Sequence, residues 1–522
     1  MVDEKKHIAR AAGLMSIATF ISRVLGFVKD MILARFFGAT GIADTFFVAF
    51  RIPNLLRELF AEGSMSSAFI PVLTKYQTKQ GIEEAKRLVR ITFTFITIFV
   101  GLICIIGIIF APAIVTAIAP GFVGMPGKFS LTVLLTRVMF PFLLFISLAA
   151  LVMGALNTRR IFFIPSLAPA MLNITIIIAV LTLAATMEQP IIAVAIGVAI
   201  GGFIQFAFQL PSFFKSGYGL TPEYDFRHTG LKKMSILIMP ATMGMAVAQI
   251  NMFVSTILAS YLPEGSITYL YYSMRLIQFP IGIFGVAMGM AILPTLSEHA
   301  VKGEFDKLRD DFSFALRLLF FITIPAMAGL IALREPIVNI LFQRGKFDYF
   351  ATVGTAQALL FYSIGIWSIV GVRIVTASFY SMQDTKTPVK VAVIALAANV
   401  IFSIILMKPL KHSGLAFANA LASGVNFLLL FFLLRRKLKR VDTKRILNSF
   451  IKIIFASSVM GVIGWMLLHG ELWHIHGKTL SKAFYLSGTI AVCLGVYFFL
   501  SYLLKSEEAS YIMEMVKQKF RR

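Results

Sequence analysis

A chain of 522 residues that is 58% hydrophobic and only 14% charged is not an ordinary soluble protein, in which about 25% of residues carry charge. Its net charge of +24 comes from 49 Lys and Arg against 25 Asp and Glu. No soluble basic domain exists to hold that charge, so nucleic-acid binding has little support, and basic connections on one membrane face account for much of it.

The pattern predicts an all-α polytopic membrane protein with about 14 transmembrane helices. The first apolar run covers about residues 11–37 and still carries Arg23, Lys29, Asp30 and Arg35. An Arg, Lys or Asp at mid-span costs roughly 2.5–3.5 kcal/mol, so these charges must face a wet cavity or each other. Arg23 and Asp30 are seven apart and share a helix face, with Gly26 between them leaving room for a bulky ligand. Lys5, Lys6 and Arg10 precede the run as they would in a signal peptide. No small-residue cleavage site follows, so a retained span is expected. The helix reads as the wall of a cationic cavity in a transporter.

The second run, 42–73, is interrupted by Asp44, Arg51, Pro53, Arg57, Glu58, Glu62 and Gly63. Pro53 removes a backbone donor and Gly63 is a soft point. Glu58 and Glu62 either pair with Arg57 or Arg51 or serve a ligand. Spans follow at about 91–118, 129–156, 163–185 and 190–213. The polar connection Ser216–Lys233 then joins two halves and is expected to flex. Further spans lie at about 234–261, 266–297, 313–333, 350–379, 388–407 and 412–434. Arg373 is a cavity candidate, while Arg137, in the 129–156 span, and Arg317 suit an interfacial position. Two more spans, 447–468 and 481–504, precede an amphipathic tail. Lys and Arg concentrate in alternate connections, which predicts cytoplasmic termini.

The chain repeats. Ile32–Ala34 recurs at Ile257–Ala259, Pro71 at Pro294, Pro112 at Pro336 and Pro165 at Pro388, all at shifts of 223–225. An even number of spans per repeat makes the halves parallel. The expected organisation is two parallel pseudo-symmetric six-helix lobes, 1–225 and 226–440, then two C-terminal helices within 441–505 and a cytoplasmic tail, 506–522. The broken segment Tyr269–Leu296, with Arg275, Pro280, Gly282, Gly285 and Gly289, is the repeat partner of the second span. Broken helices at matching places point to a site and its hinges.

Chemistry is sparse. Gly127-Lys128 and Gly477-Lys478-Thr479 lack the upstream glycine of a phosphate-binding loop. His469, His474 and His476 have no other ligand types at metal-site spacing. Cys104 and Cys493 offer neither a disulfide framework nor a metal pair. No nucleophile–base set stands out, so no cofactor, metal or enzymatic activity is expected.

Specific stretches carry a resemblance. They are Ser22-Arg23-Val24-Leu25-Gly26-Phe27-Val28-Lys29-Asp30, Ala43-Asp44-Thr45-Phe46-Phe47 through Arg51-Ile52-Pro53-Asn54-Leu55-Leu56-Arg57, Phe60-Ala61-Glu62-Gly63, Tyr271-Tyr272-Ser273-Met274-Arg275 and Gln383-Asp384-Thr385-Lys386-Thr387-Pro388. Together they resemble the MurJ (MviN) family over nearly the whole chain. The resemblance implies a flippase for lipid II, the undecaprenyl-diphosphate-linked peptidoglycan precursor, in a bacterial inner membrane. It also implies the fold of the multidrug/oligosaccharidyl-lipid/polysaccharide exporters, with membrane lipids and cell-wall synthesis proteins as partners. It maps cavity cations to Arg23, Lys29, Arg57 and Arg275, and acidic positions to Asp44 and Glu62. Gly26, Asp30, Arg51 and Asn54 complete the candidate substrate-binding set. Lys29 stands where many relatives carry Arg, which keeps the charge but not the bidentate fork. Met274 replaces an acidic neighbour of the arginine. Asn399, Ser403 and Asn419 stand where some relatives offer sodium-binding carboxylates. A diphosphate suits such an array because charge-assisted hydrogen bonds are strong in a low dielectric. A flippase for another lipid-linked glycan, an antiporter of the same superfamily, and a scaffold that only binds the lipid precursor are the rival readings.

Overall fold

The computed structural model describes residues 2–58, 64–473 and 477–520, with side chains described from residue 13 apart from 64–67, 238–248, 471, 516, 519 and 520. The described residues are helical throughout, without strands. They form two compact units, Met1–Glu264 and Gly265–Arg522.

The first unit runs through α1 (Val2–Phe37), α2 (Gly41–Arg57), α3 (Ser64–Lys79), α4 (Ile82–Ile109) and α5 (Ala111–Ile118). It continues with α6 (Pro126–Met139), α7 (Pro141–Thr158), α8 (Phe163–Leu183), α9 (Ile191–Ala207), α10 (Leu210–Lys215) and α11 (Thr229–Ser260). Breaks fall where the chain chemistry asks for them. The Thr40 hydroxyl accepts from the Ala43 N–H and caps α2. Pro126 and Pro141 sit in the first helical positions, where a missing N–H is harmless. The core joins α3, α4 and α7 through Phe69, Leu88, Leu151 and Leu156. On α9, Gly197 and Gly201 let α8 approach so closely that an added Cβ would lie 2.9 Å from Ala179 and 2.7 Å from Leu172. This is the small-residue packing that membrane helices use where burial of apolar surface gives no drive.

The second unit runs through α12 (Ser266–Pro280), a π-helical stretch Ile281–Val286, α13 (Ala287–Lys302), α14 (Phe305–Ala332) and α15 (Arg334–Phe342). Then come α16 (Tyr349–Ile364), α17 (Ile366–Ser381), α18 (Lys386–Lys437), α19 (Thr443–Leu468), α20 (Thr479–Leu503) and α21 (Glu507–Phe520). Phe320, Trp367, Phe427 and Phe450 cluster edge to face within it. The π stretch follows Pro280, which has no N–H for the α ladder.

The repeat persists in the backbone. Gly81 and Gly303, Arg160 and Gln383, and Gly217 and Lys439 are pairs of left-handed residues 222 or 223 positions apart. The 28-residue helices α4 and α14 begin at the same offset.

Ten helical stretches among the described residues are long and apolar enough to cross a membrane, and the chain is a multi-pass membrane protein. They do not map one to one on the fourteen expected spans. Of residues 42–73, the described parts are helical, in α2 before residue 59 and α3 after residue 63. The spans 388–407 and 412–434 are two helices within α18 that meet at a kink at Lys411, whose φ is 50° and ψ −131°.

The connection Ser216–Lys233, where the sequence places the joint, lies within the first compact unit, Met1–Glu264. Residues 216–228 are fastened to α4 rather than loose. Glu223 receives Arg87 Nε at 2.6 Å and Arg90 Nε at 3.0 Å, and its N–H donates to Thr94 Oγ1. His228 Nδ1 accepts the Gly230 N–H and caps α11, while Nε2 lies 3.0 Å from Glu84 Oε1. From there α11 packs against α3, α4 and α5.

Candidate functional site

Charges inside α1 sort by depth. Lys29 and Asp30 are buried and paired, Nζ to Oδ1 at 3.1 Å. Gly26 is buried beside them, and Arg23 is exposed. The shared face expected for Arg23 and Asp30 is therefore not a shared contact. Asp30 takes its neighbour Lys29, and the exposed Arg23 follows Ser22, whose carbonyl accepts from Asn173 Nδ2 of α8.

On α2 the polar residues turn to different partners. Asp44 is buried in the first turn, with Lys128 Nζ 3.4 Å from its Oδ2. Arg51 Nη1 donates to Thr256 Oγ1 of α11 at 2.5 Å. Glu58 accepts from Asn54 Nδ2 at 3.0 Å and from Gln249 Nε2 of α11 at 2.5 Å. Amide donors thus hold Glu58, where the sequence allowed an arginine. Pro53 is accommodated inside the helix. Arg57 is half-buried in its last turn. Glu62 and Gly63 lie outside the described residues.

In the second unit Arg275 is half-buried on α12, ahead of the π stretch that begins at Ile281. Arg373 on α17 is exposed, and its stem packs along Gly285 and Gly289. Arg317, expected at an interface, is buried instead, with Nη1 2.8 Å from Glu507 and 2.5 Å from Glu508 of α21. Arg137 is exposed and donates from Nε to the Ile108 carbonyl at 3.1 Å. Asn399 and Ser403 are buried on α18 and Asn419 is half-buried. Among the described residues no three His, Cys, Asp or Glu side chains group as metal ligands.

Sequence reading missed Lys128, Thr256 and Gln249. For Lys128 a signal existed. A lysine in the first turn of a helix opposes the macrodipole, so a carboxylate partner is called for. Thr256 and Gln249 gave no signal, because their role depends on where α11 packs. Chemically, each unit carries cations within its largely apolar helices, which suits an anionic headgroup joined to an apolar tail.

Comparison with known proteins agrees. The family described as "Lipid II flippase MurJ" matches residues 33–485. A "Probable lipid II flippase MurJ" from Vibrio cholerae is 36% identical over 511 residues, covering 96% of this chain and 97% of that one. A solved "Lipid II flippase MurJ, inward closed conformation" has a TM-score of 0.78 at 29% identity, covering 94% of this chain and 98% of that one. An inward-facing multidrug resistance MATE family transporter of the MOP superfamily shares the fold, with a TM-score of 0.67 at 15% identity over 82% of this chain and 98% of that one. The chain belongs to the MurJ family of lipid II flippases.

Proposed function

We propose that this chain moves lipid II from the cytoplasmic to the outer leaflet of a bacterial inner membrane by alternating access. Arg23, Lys29, Arg57 and Arg275 bind the diphosphate in a central cationic cavity, and apolar helix faces take the polyprenyl tail. The observation that supports this reading is that these four cations stand within the largely apolar runs of α1, α2 and α12, in the company of the carboxylates Asp30 and Asp44, in a chain of this family. An inside-negative potential favours outward movement of the anion, by about 2.3 kcal/mol per charge per 100 mV if it crosses the whole field. The same field draws the emptied cationic cavity back. Both termini are cytoplasmic, in keeping with the basic connections. Enzymatic chemistry has no part in this cycle.

Nanodisc binding tests the site. Lipid II should bind at least tenfold tighter than undecaprenol, which has the tail but no diphosphate, and Arg275→Ala should lose most of that difference. Equal binding of the two lipids would contradict the assignment.

A further inference from the structure

Four helical elements of the first unit close a ring of polar contacts through Lys128. Its ammonium lies 3.4 Å from Asp44 of α2 and 4.4 Å from the centre of the buried Phe122 ring. Next to Phe122, in the short helical turn Pro120–Phe122, the Gly121 N–H donates to Ser260 Oγ of α11 at 3.1 Å. One turn earlier on α11, Thr256 accepts from Arg51, back on α2. The ring therefore runs α2–α6–Pro120-Phe122–α11–α2.

We propose that Lys128 is a positioning residue for transport, which fixes the start of α2 and so aims the cations Arg51 and Arg57 farther along it. The inference rests on the flippase reading for its function and on geometry for its mechanism. Both side chains of the pair are nearly inaccessible, at 8% for Lys128 and 2% for Asp44. Removing two charges from water is costly, and the attraction repays that only in excellent geometry. A contact of 3.4 Å is longer than the usual charge-assisted bond of about 2.7–2.9 Å. Apolar residues would stabilise this place as well or better, so the pair is suited to specifying position rather than holding the fold. Asp44 also sits in the first turn of α2, where the helix dipole favours a carboxylate. Lys128 sits in the first turn of α6, where the dipole disfavours an ammonium. The lysine therefore depends on Asp44 and Phe122 more than Asp44 depends on it. Movement of α2 must be matched by α6, or the ammonium is stranded.

The test compares Lys128→Met, Lys128→Arg and the exchange Asp44→Lys with Lys128→Asp. Three readouts are needed: lipid II binding in nanodiscs, lipid II translocation in proteoliposomes, and amide hydrogen exchange over residues 41–50. Lys128→Met should keep binding within about threefold, slow translocation at least tenfold, and raise exchange over 41–50 several-fold while α8 and α9 stay unchanged. Lys128→Arg should recover at least half of the translocation, and the exchanged pair should exceed Lys128→Asp alone. If Lys128→Met does not fold, the comparison of the exchanged pair with Lys128→Asp decides. Unchanged exchange over 41–50 in Lys128→Met would overturn the proposal, as would wild-type translocation by that variant. Binding lost in step with translocation would make Lys128 a substrate cation and would also overturn it. Wild-type protein that moves no lipid II would defeat the flippase reading, while the exchange data would still judge the geometry.

Discussion

Arg317 of α14 and Glu508 of α21 form an ion pair in which both side chains are almost fully buried, 4% and 2% exposed. Glu507 joins from its exposed side and also binds Arg445 of α19, at 2.6 Å to Nη2. The terminal helix is thus anchored to two spans of its own unit. Breaking a buried pair from one side costs about 3–5 kcal/mol where the other charge is left alone; Arg317 keeps Glu507, so loss of Glu508 costs less than that. Glu508→Ala should therefore lower the thermal midpoint by several degrees. The double variant Arg317→Met with Glu508→Met should lose much less, as measured by thermal unfolding in detergent.

Gly121 has no room for a side chain. An added Cβ would lie 2.2 Å from the Ser260 carbonyl oxygen, whereas at Gly124 nothing lies within 4 Å. Overpacking against backbone costs roughly 1–3 kcal/mol. Gly121→Ala should destabilise the protein by that amount and loosen α11, while Gly124→Ala should be near neutral. Thermal midpoints of the two variants check this.

Asp384 joins the ends of α17 and α18 to Lys437, with its Oδ2 receiving Lys437 Nζ at 2.6 Å. Its Oδ1 accepts the Thr387 N–H at 3.0 Å, and its Oδ2 also accepts the Thr387 hydroxyl. Lys437 chiefly, with Thr387, lowers the carboxyl from 3.8 to about 2. A lowered folded-state value means stabilisation that is complete above the unfolded value and lost as pH falls through the folded one. Stability should therefore drop between about pH 4 and pH 2, and Asp384→Asn should flatten that limb. With solvent screening the effect is about 1 kcal/mol, readable in pH-dependent thermal midpoints.

The strap over 216–228 makes a proteolytic prediction. Partial burial raises the Glu223 carboxyl, but Arg87 and Arg90 outweigh it and hold the group below its ordinary value. Glu223→Ala should free the segment, and trypsin should cut after the exposed Arg227 several times faster than in wild type. An unchanged cutting rate would show that Arg87 and Arg90 do not restrain it.

Much of this was legible in sequence for physical reasons. Apolar length announced the spans, and a shared offset of prolines announced the repeat that reappears as paired left-handed residues. The cations stood out because charge inside an apolar run is expensive. Partners were harder to see. Arg317 resembles an interfacial residue until α21 is placed against it, and Lys128 looks like a failed phosphate loop until Asp44 is beside it. The polar connection 216–233 looked loose because composition cannot show that its acids meet Arg87 and Arg90. The hold of Glu58, Arg51 and Gly121 on α11 was equally hidden, because a sequence repeat does not show which side chains meet.

The central claim is that the cations carry the diphosphate, and translocation of fluorescent lipid II in proteoliposomes tests it most directly. Wild type and Arg23→Ala should be compared, each correctly folded, with and without an imposed potential. The account predicts transport by wild type that quickens when the substrate-donor side is negative, and none above background by Arg23→Ala. Equal transport by the two proteins would contradict it.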